Sequence, residues 1–69
     1  MNELDLHGTK HQDVQQKVDS FLYENYENMP VSIITGNSHE MKRIVISIIN
    51  EYEYNYREGF INKGVIEVY

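Results

Sequence analysis

The sequence has no cysteine, no tryptophan and one proline, and its 6 Lys and Arg are outnumbered by 11 Asp and Glu. Each shortage excludes something. Without cysteine there is no disulfide and no thiolate-bound zinc, so the fold must be held by packing or self-association, and the chain suits a reducing cytosol. A formal net charge of −5 disfavours tight, indiscriminate adhesion to a nucleic-acid backbone, whose affinity comes mainly from Lys and Arg. It leaves room for a local basic edge. Long apolar runs are missing too. The longest, residues 44–49, is broken by Ser47, far short of the ~20 residues of a membrane span. The first residues have neither a cationic start nor an apolar stretch, so no secretory leader and no membrane partner are expected.

What is present is 69 residues, 41% of them hydrophobic. That length allows one domain with one core and rules out a two-domain enzyme. The apolar content is too high for a disordered tail. No repeat or low-complexity segment interrupts the chain.

The hydrophobic pattern predicts six elements. Residues 3–7 alternate with period two, which puts Leu4 and Leu6 on one face and Asp5 and His7 on the other. Gly8 ends this strand. Thr9 and Gln12 have capping-box spacing, and Val14, Val18, Phe21, Leu22 and Tyr26 follow at helical intervals, so a helix is expected from about 10 to 27. Pro30 stops it, because the residue before proline avoids helical backbone. The β-branched run 31–35 reads as a second strand. Asn37 or Ser38 caps the next helix, whose stripe is Met41, Ile44, Val45, Ile48, Ile49 and Tyr52. The tail, with Tyr54, Tyr56, Phe60, Ile61, Val65, Ile66, Val68 and Tyr69 broken by Gly59 and by 62–64, reads as two strands in a hairpin. The fold expected is α/β: a two-layer β-α-β-α-β-β sandwich, with a mixed four-stranded sheet and both helices on one face.

Positive charge is unevenly placed. Six of the nine Lys, Arg and His residues (His7, Lys10, His11, His39, Lys42 and Arg43) follow the first or second strand or open the next helix. In an open parallel sheet these corners lie together at the carboxyl ends of the strands, beside helix N-termini that favour anions. The plainer alternative is a set of solvated side chains and helix caps.

Leu4-Asp5-Leu6-His7-Gly8, followed by an amphipathic helix, then by Ile33-Ile34-Thr35-Gly36 opening a second helix, resembles the small MutS-related (Smr) domain. The closing glycine and strand at 64–68 add to the likeness, which covers nearly the whole chain at a compact length. The resemblance implies a fold similar to the C-terminal domain of a bacterial translation initiation factor. It also implies binding of structured or branched DNA or RNA. Some members are nicking endonucleases or endoribonucleases, and others only bind. Asp5, His7 and Gly8 match the first motif, and Thr35 and Gly36 match the second. The second motif usually reads T-G-x-G or H-G-x-G. Here its last glycine is Ser38, and His39 follows at once in place of a longer glycine-rich loop.

On this reading His7 is the candidate acid/base, since imidazole titrates near about pH 6.5, and Asp5 its orienting carboxylate. Gly8, Lys10, His11, Thr35, Gly36, Asn37, Ser38, His39, Lys42 and Arg43 are the candidate nucleic-acid contacts. Asp5 and His7 are too few for a metal site without a third ligand from His11, His39 or Glu40, and no cofactor is expected. Three further readings stay open. Asp5 and His7 can be an exposed polar pair on the sheet, with Asp5 capping a turn. The chain can also be a non-catalytic binder, or an acidic, Tyr-rich module for a protein partner or a second copy, with Tyr52, Tyr54 and Tyr56 in core or edge packing or in a contact patch.

Overall fold

In the computed structural model, which describes residues 2–59 and 61–69, the chain runs β1 (Glu3–Asp5), α1 (His11–Asn25), β2 (Val31–Ile34), α2 (His39–Glu51), β3 (Tyr56–Glu58) and β4 (Val65–Val68). Phe60, counted above with the tail, lies outside the described residues. The strands form one sheet in the order β1-β2-β4-β3. β1 is parallel to β2, with Leu4 opposite Ile33 and Asp5 opposite Ile34. β4 is antiparallel to both β2 and β3. β1, β2 and β3 therefore share one direction and β4 alone is reversed. The ends of β1, β2 and β3 and the β3–β4 hairpin all lie at one edge of the sheet.

Strand alternation decides the two faces. Leu6, Val31, Ile33, Ile66 and Val68 are buried against Val14, Val18, Phe21 and Leu22 of α1 and Met41, Val45, Ile48 and Ile49 of α2. Leu4, Ile44 and Tyr54 pack against this core at its margin. The opposite face, with Asp5, Ser32, Ile34, Arg57 and Glu67, carries no helix. Arg57 and Glu67 pair across it at 2.6 Å. The result is a two-layer α/β sandwich. Among the described residues, no helix is long and apolar enough to cross a membrane.

The differences from expectation are local. β1 ends at Asp5, because the chain turns at His7 and Gly8; Leu6 N–H still reaches the Ile34 carbonyl at 2.9 Å. Thr9 does not cap α1. Its N–H closes that turn on the Leu6 carbonyl, and Lys10 takes the N-cap position with no side-chain bond. α1 stops at Asn25, whose buried side chain donates back to the Phe21 carbonyl at 2.8 Å, so Tyr26 is exposed rather than part of the stripe. Of the two candidate caps of α2, Ser38 is the one used, accepting from Met41 N–H at 3.1 Å. Tyr52, which its spacing put in the α2 stripe, is instead exposed. Tyr52 follows the last turn of α2, Tyr54 packs at the core margin and Tyr56 opens β3.

Two outcomes test this packing. Ile33→Ala, in a central strand with no exposed surface, should cost about 2–5 kcal/mol in denaturant melts followed by circular dichroism. A loss below about 1 kcal/mol would mean that β2 is not at the centre of the core. Tyr52 OH donates to Asp19 Oδ1 at 2.7 Å and ties α2 to α1. The bond to Asp19 raises the phenol's pKa above its ordinary value of 10.0. A raised folded-state value means this contribution is intact below pH 10 and lost as pH climbs through the folded-state value. Tyr52→Phe should remove that alkaline component of the stability profile and leave the neutral-pH structure unchanged.

Candidate nucleic-acid interface

The first corner is a turn that β1 makes for itself. Asp5 Oδ1 accepts the backbone N–H of His7 at 2.8 Å, the local bond by which Asp commonly holds a turn two residues on. Gly8 follows with φ +78° and Gly36, at the second corner, has φ +67°. Both backbones are in the left-handed region, where a Cβ is strained. His7, Gly8, Lys10 and His11 are exposed along this corner.

The second corner is tied to the hairpin. Thr35 is buried, and its N–H donates to the Gly64 carbonyl at 2.8 Å, as does Gly36 N–H at 3.1 Å. The Thr35 hydroxyl lies 3.3 Å from the same oxygen and 3.0 Å from the Gly36 carbonyl. A Cβ on Gly64 would meet the Gly36 Cα and carbonyl carbon at 3.2 Å, so a side chain there would require Gly36 to give way by a few tenths of an ångström. Thr35 and Gly36 thus serve the bend. What faces outward is Asn37, Ser38 and His39, all exposed. The N–H groups of His39 and Glu40, which begin α2, take no partner among the described residues. Such orphan donors carry the positive end of the helix dipole.

The register brings the corners together. Asp5 is opposite Ile34, and Leu6 bonds to Ile34, so the residues that follow, His7 and Gly36, leave neighbouring strands at the same edge. The two helix starts also sense each other. Glu40's carboxyl is held below the ordinary carboxylate range chiefly by Arg43, through a hydrogen bond and its charge, and to a smaller extent by the charge of His11.

Charge at the edge is less positive than the six cationic residues suggest. Arg43 Nη2 lies 2.5 Å from Glu40 Oε1, which spends much of its charge locally. Lys10 and Lys42 form no ion pair among the described residues. Lys63 was not singled out in the sequence, yet the hairpin places it beside Gly64 and hence beside Gly36. The signal available was the Asn-Lys-Gly turn, where Gly64 N–H donates to Asn62 Oδ1 at 3.0 Å. Four of the six Lys and Arg and all three His therefore lie along one edge. At the opposite end neither helix has a basic residue in its last turn, and Glu27, Glu51 and Glu53 sit among exposed Tyr26, Tyr52 and Tyr69.

His7 meets no side-chain hydrogen bond among the described residues, and Asp5 is engaged by backbone. Among the described residues, no group of three or more His, Asp or Glu could hold a metal ion, so Asp5 and His7 gain no third ligand from His11, His39 or Glu40.

Gly64→Ala should push Gly36 away and disturb the amide resonances of residues 35–38, with a stability loss of about 1–3 kcal/mol from overpacking. Unchanged resonances there would show that the bend does not depend on this approach. Neither a protein-family model, nor a curated protein, nor a solved structure matches the chain, so the roles of these residues rest on the geometry above.

Proposed function

We propose that this chain is a compact Smr-like domain that binds structured or branched DNA or RNA through the edge formed by its two strand-to-helix corners. The observation that supports this most is the convergence, at one end of an acidic protein, of two helix N-termini with Lys10, Lys42, Lys63 and three histidines. Phosphate is the ligand such an edge suits: orphan N–H groups of α2 and exposed Asn37 offer hydrogen bonds, and the lysines offer charge. The small number of unpaired cations fits recognition of a local shape rather than of a long backbone.

Phosphodiester cleavage is the second reading, favoured by the exposure of His7 at the first corner. An imidazole there would take the proton of an attacking water or 2′-hydroxyl, or protonate the leaving oxygen. Asp5 then acts by holding the His7 turn, as its bond to the His7 N–H allows. Asp5→Asn keeps an acceptor for that bond and should preserve cleavage, while His7→Ala should abolish it and leave binding in place. Equal cleavage by the His7 variant would remove His7 from the chemistry.

Binding is tested by gel shift on single-stranded, duplex and branched substrates over a salt series. With two or three phosphate contacts, log K should fall against log salt with a slope of about −2 to −3. Lys42→Glu should weaken binding at least about tenfold, by reversing a phosphate contact. Arg43→Glu should weaken it less, because Glu40 already holds that charge, and Glu40→Gln, which frees Arg43, should strengthen it. Binding unchanged in Lys42→Glu and in the double Lys42→Glu, Arg43→Glu variant would place the interface elsewhere.

A further inference from the structure

β1 is an edge strand of the sheet formed by the described residues. The sheet order leaves β1 with one neighbour, β2. Ser32 N–H donates to the Asn2 carbonyl and Leu6 N–H to the Ile34 carbonyl, so the even-numbered residues of β1 face β2. In a strand, alternate residues present their backbone groups to opposite sides. The N–H and C=O of Glu3 and Asp5 therefore point outward, where no strand lies among the described residues.

Beside this edge runs a groove of about 500 Å3 between β1 and the outer flank of α1, lined by Leu4, Lys17, Ser20, Phe21 and Glu24 among others. Its apolar wall, Leu4 and Phe21, lies on the helix side of the sheet. Glu3 and Asp5 project on the other side, the face without helices. An arriving strand would thus have one side chain over Leu4 and Phe21, with its flanking side chains beside two carboxylates.

We propose that β1 accepts an extended peptide segment of a partner protein by strand addition, with an apolar residue opposite Leu4 flanked by Lys or Arg opposite Glu3 and Asp5. Backbone pairing supplies the attachment and the alternation of side chains supplies the selectivity. The charges decide between occupants. A second copy pairing antiparallel through β1 would set Glu3 against the partner's Asp5. Like charges directly opposite destabilise a strand pair, and inherent repulsion of this kind is how edge strands avoid self-association. A basic segment removes the repulsion and replaces it with attraction. This surface uses α1's flank and the edge of the sheet, so it stands whether or not the corner edge binds nucleic acid.

The test is a titration of the 15N-labelled full chain with the capped peptide Gly-Lys-Val-Lys-Gly, read by amide shifts and hydrogen exchange. The expected result is saturable shifts at Glu3, Leu4 and Asp5, slowed exchange at the Glu3 and Asp5 amides, and shifts of the Leu4 and Phe21 side chains. N-methylation of the two peptide lysines, which removes the pairing N–H groups, should weaken binding about tenfold or more. Gly-Glu-Val-Glu-Gly should not bind, and Glu3→Lys, which leaves one cation and one carboxylate at the edge, should remove the preference between the two peptides. Absence of binding, shifts centred on the acidic ends of the helices, or equal binding of the N-methylated peptide would each overturn the proposal. Concentration-dependent shifts at Glu3 and Asp5 without peptide would overturn it in favour of a second copy.

Discussion

Three donors converge on the carbonyl oxygen of Gly64: the N–H groups of Thr35 and Gly36 and the Thr35 hydroxyl. This joins the second crossover corner to the β3–β4 hairpin, residues 29 positions apart. The approach is close because Gly64 has no side chain, and a Cβ there would press on Gly36 at 3.2 Å. The parallel pairing of β1 with β2 then sets the first corner next to the second. Core burial holds both strands in register, since a one-residue slip would turn Leu4, Leu6, Val31 and Ile33 to solvent.

These constraints give the molecule two unlike ends. At one lie the carboxyl ends of three strands, the starts of both helices, the hairpin and most of the cations. At the other lie the helix C-termini, with glutamates and no basic residue in either last turn. The helix dipoles add to that difference, because their positive ends lie at the cationic edge. A net charge of −5 is thus compatible with a cationic edge, as separation of charge along the helix axes leaves Asp5, Asp13, Glu40 and Glu58 as the acidic residues near the corners.

The fold was readable from the sequence because its core positions are strongly periodic. The stripe on α2 and the alternation at Leu4 and Leu6 fixed the element order, and the crossover rule fixed the parallel pair. The site was only partly readable. The spacing placed His7, Lys10, His11, Asn37, His39 and Lys42 at one edge. It left open whether Asp5 orients His7 or caps a turn, and it did not show that Thr35 and Gly36 face the hairpin or that Glu40 holds Arg43, because each depends on a side-chain choice among several local partners. Lys63 escaped notice for a different reason. Its neighbours at the edge are distant in sequence, and only the reversed direction of β4 brings the hairpin there. The helix ends were misjudged where a competing local bond won: Thr9 closes the Gly8 turn instead of capping α1, and Asn25 folds back on Phe21.

The most direct measurement is chemical-shift mapping of the labelled chain against a branched DNA and a stem-loop RNA. Binding at the corner edge gives its largest changes at His7, Gly8, Lys10, Asn37, His39, Lys42 and Lys63, with the Tyr26, Tyr52 and Tyr69 end silent. Changes confined to that opposite end, or none with either nucleic acid, would contradict the interface described here.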